Sequence, residues 1–218
     1  MRNACYHGRM MHTLPWSFFA RPTLRVAHEL LGKYLVRRIS RKKLVGKIIE
    51  VEAYIGEDDL ACHASRGRTK RTEMLYAKPG TVYVYLVYGM YWCLNIITQR
   101  SEYPSAVLIR AIEPVEGIGA MAKNRKKFLS LGPASPRLQR GEHSVTLSPI
   151  SRLTNGPGKL CEAFDITGKL HGKMLGSATF TIEDRAEKVP RNSIIALPRV
   201  GVDYAKHCAK YPWRFLLK

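Results

Sequence analysis

Residues 81–98, TVYVYLVYGMYWCLNIIT, are eighteen consecutive uncharged positions in a chain otherwise rich in lysine and arginine. A run of that length meets the threshold for a membrane-spanning helix, so its interior has to decide between a span and something folded. Tyr83, Tyr85, Tyr88, Tyr91 and Asn95 scatter polar groups along it, β-branched and aromatic residues dominate, and Gly89 interrupts it near the middle. These are the marks of two strands and a turn. The stretch predicts a β-hairpin with Tyr88-Gly89 at its tip, and no membrane span.

The surroundings suit a sheet. Leu24, Ala27, Leu30 and Leu31 recur at helical spacing in RPTLRVAHELLGKYLVRR, with Gly32 as a stop, so a helix should lead into a strand. Strand-like runs follow in KYLVRRI, LVGKIIEVEAY, the hairpin, SAVLIRAIEP, KMLGSATFTIED and SIIALPRVGV, with an apolar tail, PWRFLLK. Strands in hairpin-like succession, with helices grouped around them, predict an α+β fold on a curved antiparallel sheet with a protruding hairpin. At 218 residues, with no linker and no fixed-period repeat, one domain over residues 18–218 is the economical reading, preceded by an N-terminal extension over residues 1–17 that is expected to be flexible.

The charge balance points to a partner. Lys and Arg number 36 against 17 Asp and Glu, a formal net charge of +19. Phosphates attract such an excess at long range, and counterion release drives the association, so a nucleic acid is the expected ligand; a solvated basic surface is the plain alternative. The basic clusters RRISRKK, RGRTKR, KNRKK and PRLQR (residues 37–43, 66–71, 123–127 and 136–140) read as turns or loops. Five dispersed cysteines without a C-x-x-C pair supply no zinc or iron–sulfur cage and no disulfide framework. No metal or other cofactor is expected, and a reducing compartment is. MRNACYHGRMMHTLPWSFF lacks the apolar core of a signal peptide; it contains arginine and no acidic residue, which a transit peptide shares.

Chemistry can be sought in three places. Alternation in IIEVEAY sets Glu50, Glu52 and Tyr54 on one strand face, and a carboxylate on an apolar strand is either used or paired. One glutamate is a candidate general base with the other in support; a salt bridge to one of the many arginines is the competing reading. His63 follows an acidic turn in GEDDLACHASRGR, either as a site residue or as an ordinary satisfied histidine, and its neighbour Cys62 invites a weak thiol–imidazole reading. Tyr83 and Tyr85 share a hairpin face, whereas Tyr88 projects at the tip as a ring that could enter a base stack. NGPGKL (155–160) could offer backbone N–H groups to a phosphate at a helix start, or be a plain turn into a helix; its spacing is not that of a nucleotide P-loop.

IIEVEAY, the ACH triplet, KPGTVYVYLVYGMYWCLN, LIRAIEP and NGPGKLC together resemble, in content and order, the alkyladenine (3-methyladenine) DNA glycosylase family, from about Phe18 to the C-terminal RFLL. The resemblance implies a monofunctional hydrolase of base excision repair that flips alkylated or deaminated purines from duplex DNA and cleaves the N-glycosidic bond with water, without lyase activity. It implies Glu52 as general base, Arg110 and the Val200 main chain as holders of the water, and Tyr54, His63, Tyr85 and Asn95 as the base pocket. Tyr88 matches the intercalating wedge, with Met90 and Tyr91 beside it in the minor groove. The implied partner is double-stranded DNA containing damaged purines, bound by a monomer in the bacterial cytoplasm at the nucleoid, or in the nucleus of a eukaryote. A catalytically silent DNA- or RNA-binding module on the same scaffold is the alternative. No role is assigned to the basic insertion 123–143.

Overall fold

The computed structural model describes residues 4–6, 9–131 and 151–218. PRLQR and the second half of the basic insertion lie outside the described residues. The fold is α+β, built on β4 (Lys42–Ile55), the longest strand. One edge of β4 pairs with β7 (Ser105–Glu116) along its length; the other pairs first with β3 (Tyr34–Ile39) and then with β10 (Arg214–Leu217). β7 continues into β6 (Tyr91–Ile97) and β5 (Val82–Val87), and β3 into β8 (Phe180–Asp184). β9 (Ile194–Leu197) extends β10. All these pairings are antiparallel. Within the stretch read from sequence as an N-terminal extension, β1 (Ala4–Tyr6) pairs with β2 (Arg9–Thr13), and β2 with β8 at the sheet edge.

The curvature has a local cause. Ile48 faces Ile112, Glu50 faces Ala111 and Val51 faces Ile109, so Ile49 on β4 and Arg110 on β7 are both extra residues. Such bulges bend a sheet and re-aim side chains. This one also changes parity: Leu44 and Ile48 lie in the main core before it, Val51 and Ala53 after it. The residues between and beyond, Glu50, Glu52 and Tyr54, are thereby turned to the other face.

Helices close the core face. α2 (Thr23–Leu30) packs on β4 and β7, and α4 (Pro157–Ala163) on β6 and β7. α2 buries Thr23, Val26, Ala27 and Leu30, while Leu24, which the sequence spacing places in the stripe, is 36% exposed. The helix begins after Pro22, and Thr23 takes the inward position through a 3.0 Å hydrogen bond to Thr98. KNRKK is not a loop: it lies on α3 (Ile118–Leu131), where Asn124 donates to the Ala163 carbonyl and Arg125 pairs with Glu162. The strand expectations for KMLGSATFTIED and SIIALPRVGV hold only for Phe180–Asp184 and Ile194–Leu197. The opposite sheet face is covered by two smaller clusters, one including Cys62, Ala64, Leu75 and Tyr76, the other Ala61, Val202, Ala205 and Cys208. Both pack against Tyr54. No helix among the described residues is long and apolar enough to cross a membrane.

Candidate active site

Register brings the candidate residues to one face of the sheet. Glu52 on β4 faces Leu108 on β7, Leu108 faces Asn95 on β6, and Asn95 faces Tyr83 on β5. Residues opposite one another project to the same side, so this row crosses four strands. Tyr54, Cys93 and Tyr85 lie two residues along their strands and share that side.

Glu52 is fully buried and held at both oxygens. The Tyr54 hydroxyl donates to Oε2 at 2.7 Å, the Val200 N–H donates to Oε1 at 2.8 Å, and Arg110 Nη1 lies 3.3 Å from Oε1. Each oxygen thus accepts one hydrogen bond, and the Arg110 guanidinium stands in ion-pair range of Oε1, while a carboxylate can accept at about four sites. Glu50 differs: Arg110 Nε and Arg214 Nη1 both donate to its Oε1, at 3.0 and 3.1 Å. It thus follows the ion-pair alternative and anchors the arginine that also reaches Glu52. Burial would lower the Arg110 guanidinium, but Glu52 and Glu50 outweigh it and raise it overall. Burial, with Glu52 alongside, raises the Tyr54 phenol well above its ordinary value, so it stays a donor.

Beside this group lies an aromatic cluster. The His63 ring centroid is 4.6 Å from that of Tyr85, edge to face, and Tyr83 and Tyr85 are 5.1 Å apart. His63 Nδ1 is 2.9 Å from the Tyr83 hydroxyl, so the histidine addresses Tyr83 and not Cys62, whose buried thiol is pushed up to about 12, chiefly by desolvation. Burial, and then the charge of Arg71, lowers His63. Asn95 is buried, and its side-chain N–H₂ donates to the Tyr83 carbonyl at 3.4 Å.

The hairpin ends as its sequence predicts. Val87 pairs with Tyr91, and Tyr88 and Gly89 take positive φ of 55° and 69° at the tip. Left-handed backbone is unusual for a large aromatic, and Tyr88 is 74% exposed. Met90 and Tyr91 are half-buried. Tyr91 rests on the start of α4, where a Cβ added to Gly158 would come within 3.0 Å of its ring. Close packing thus accounts for Gly158 in NGPGKL. Val200 is exposed in side chain while its N–H points inward to Glu52.

Sequence reasoning missed Arg214, Asp59 and Arg199. Arg214 lies opposite Glu52 on β10 and reaches Glu50. Arg199 and Asp59 form a bidentate pair with both side chains essentially sealed. An arginine within an apolar tail, as in PWRFLLK, is the one signal that could have suggested a buried acidic partner.

This arrangement, a buried carboxylate held by donors beside an aromatic cluster and an exposed hairpin ring, coincides with a match of residues 17–218 to the methylpurine-DNA glycosylase family. The chain belongs to that family. Relatives named "Putative 3-methyladenine DNA glycosylase" include proteins of Methanocella arvoryzae, 45% identical over 94% of this chain and 92% of the relative, and Desulfitobacterium hafniense, 44% identical over 95% and 96%. One from Bacillus mycoides is 45% identical over 92% and 94%. As a methylpurine-DNA glycosylase family member the chain is a DNA glycosylase, a DNA-binding hydrolase of DNA repair.

Proposed function

We propose that this glycosylase acts as a monomer on duplex DNA, rotates an alkylated or deaminated purine out of the stack, and hydrolyses its N-glycosidic bond with a water activated by Glu52. The reading rests on one observation: a fully buried carboxylate that accepts one hydrogen bond at each oxygen, stands in ion-pair range of Arg110, and keeps acceptor capacity for a water. A module that only bound the phosphate backbone would gain nothing from burying that group. The relatives' names, which specify 3-methyladenine, support an alkylated purine as substrate.

In this mechanism the extruded base lies against Tyr54, Tyr85 and His63, whose aromatic faces favour a positively charged alkylpurine. Asn95 disfavours the exocyclic amino group of normal guanine. Tyr88 fills the space left in the duplex, with Met90 and Tyr91 beside it in the minor groove, offsetting part of the unstacking cost. Arg110 and the Val200 main chain hold the water. Its oxygen bonds to C1′ while Glu52 takes its proton, and the C1′–N bond breaks with the electron pair leaving on the purine. A cationic alkylpurine departs neutral; a deaminated purine departs as its anion and takes a proton from solvent.

The test is Glu52→Gln with enzyme in excess over dimethyl sulfate-treated duplex DNA, scoring free 3-methyladenine. The variant keeps its shape and should bind the DNA, while base release falls by roughly 10²- to 10⁴-fold. Near-normal release would refute the assignment.

A further inference from the structure

We infer that Asp59 and Arg199 are a positioning pair that holds the Val200 amide against Glu52 and so fixes the orientation of the carboxylate. This rests on the reading of Glu52 as the base. Arg199 Nη1 donates to Asp59 Oδ2 at 2.6 Å and Nη2 to Oδ1 at 2.7 Å. The same guanidinium donates to the Ala53 carbonyl at 2.9 Å, next to Glu52 in β4, and to the Cys208 carbonyl at 3.1 Å. Its carbon lies 4.8 Å from the Tyr54 ring centroid and 5.1 Å from that of Trp213. Asp59 in turn accepts from the backbone N–H of Ile55 and Ala61, two residues before His63. One ion pair therefore ties together the end of β4, the turn leading to His63, the segment carrying Val200, and the residues before β10.

The coupling to chemistry runs through a single peptide bond. The nitrogen that donates to Glu52 Oε1 at 2.8 Å is bonded to the carbonyl carbon of Arg199. Hydrogen bonds of this kind weaken beyond about 3.2 Å, so a displacement of Arg199 by a few tenths of an ångström loosens Glu52. A sealed ion pair is weak evidence for stability, because well-packed apolar residues often stabilise as much or more. What it does supply is a fixed planar fork, and a lysine in its place keeps the charge but loses the second donor direction. The pair touches Tyr54 but not the reacting atoms, so its role is to position and not to react.

The experiment compares Arg199→Lys, Asp59→Asn and an amide-to-ester replacement at Val200 that deletes only the N–H. Each is assayed well below its Tm for binding to dimethyl sulfate-treated duplex and for single-turnover release of 3-methyladenine at saturating enzyme. All three should bind within about threefold of wild type yet release base about tenfold or more slowly, the scale expected when a catalytic group is misplaced by less than an ångström. A merely structural pair would lower Tm and leave the saturated rate alone, and that result for any folded member overturns the inference. If the side-chain variants fail to fold, an ester variant within threefold of wild type overturns it by itself. Normal release by Glu52→Gln would instead sink the base assignment, so the two failures are separable.

Discussion

Glu52 and Tyr88 stand at opposite extremes of the same sheet. Glu52 is 0% exposed, accepts two hydrogen bonds and pairs with Arg110; Tyr88 is 74% exposed, in a strained backbone conformation at the end of two strands. The interior region is over-determined: Glu50, Arg110, Arg214 and the Asp59–Arg199 pair fix one arrangement before any ligand arrives. On the proposed reading the tip takes its apolar surroundings from the duplex. On that reading chemistry and DNA distortion are built on different physical terms, and perturbations should separate them.

Salt should produce the largest separation. Lys and Arg exceed Asp and Glu by 19, and cations such as Arg66, Lys70 and Arg71 are exposed, so binding to undamaged duplex should weaken by about 10³-fold between 50 and 200 mM salt. The saturated single-turnover rate should change by less than about twofold, because buried charges are screened far less than exposed ones. Titration by fluorescence anisotropy beside rapid-quench assays checks both. A rate that fell in parallel with affinity would show that the electrostatics of the interior are open to solvent, and the contrast would collapse.

Tyr88→Ser should come next, and its effect should depend on context. If the ring fills the vacated space, its loss shifts flipping toward the stacked state by roughly tenfold for a hypoxanthine or ethenoadenine in a stable pair, and much less in a mismatch or single strand. Tyr85→Ala should slow both contexts alike, since on the same reading that ring acts after flipping. An equal loss for Tyr88→Ser in every context would return Tyr88 to the ordinary strand aromatics.

The same contrast explains what could be read from the sequence. The hairpin was legible because its signals are local: alternating aromatics and a Tyr-Gly pair at the turn. Alternation in IIEVEAY also gave the shared face of Glu50, Glu52 and Tyr54, although not the bulge at Ile49 and Arg110 that turns this face away from the main core, since a period of two carries no mark of an unpaired residue. Thr23 takes the inward place that the spacing assigns to Leu24, because helical spacing fixes a stripe only to within a residue at its start. KNRKK looked like a loop from its charge, yet α3 carries it with Arg125 paired to Glu162. Asp59 and Arg199 are 140 residues apart, and nothing local in either segment announces the other. The proposal of Glu52 over Glu50 as the base comes from family resemblance; the structure adds the distinct surroundings of the two.

The smallest effect expected is on stability against pH, and it probes the boundary between the two regions. His63 contacts Tyr83 and Tyr85 and also feels the charge of Arg71 in the basic loop. Burial, then Arg71, lowers its folded value below the ordinary one of about 6.5. Below that pH the unfolded chain takes up a proton that the folded chain resists, so this contribution is present above about pH 6.5 and is lost as pH falls toward the depressed folded value. Carboxylates titrate lower, so the His63 share is isolated by comparing wild type with His63→Gln between pH 7.5 and 5.5. Relative to the variant, wild type should lose Tm on acidification by no more than about 2 °C. Parallel Tm profiles would mean that the His63 ring is as free to protonate folded as unfolded. A profile in which wild type gained on acidification would mean that an acidic partner faces the ring, and His63 would then be a charged group in a basic interface, not a neutral wall of the pocket.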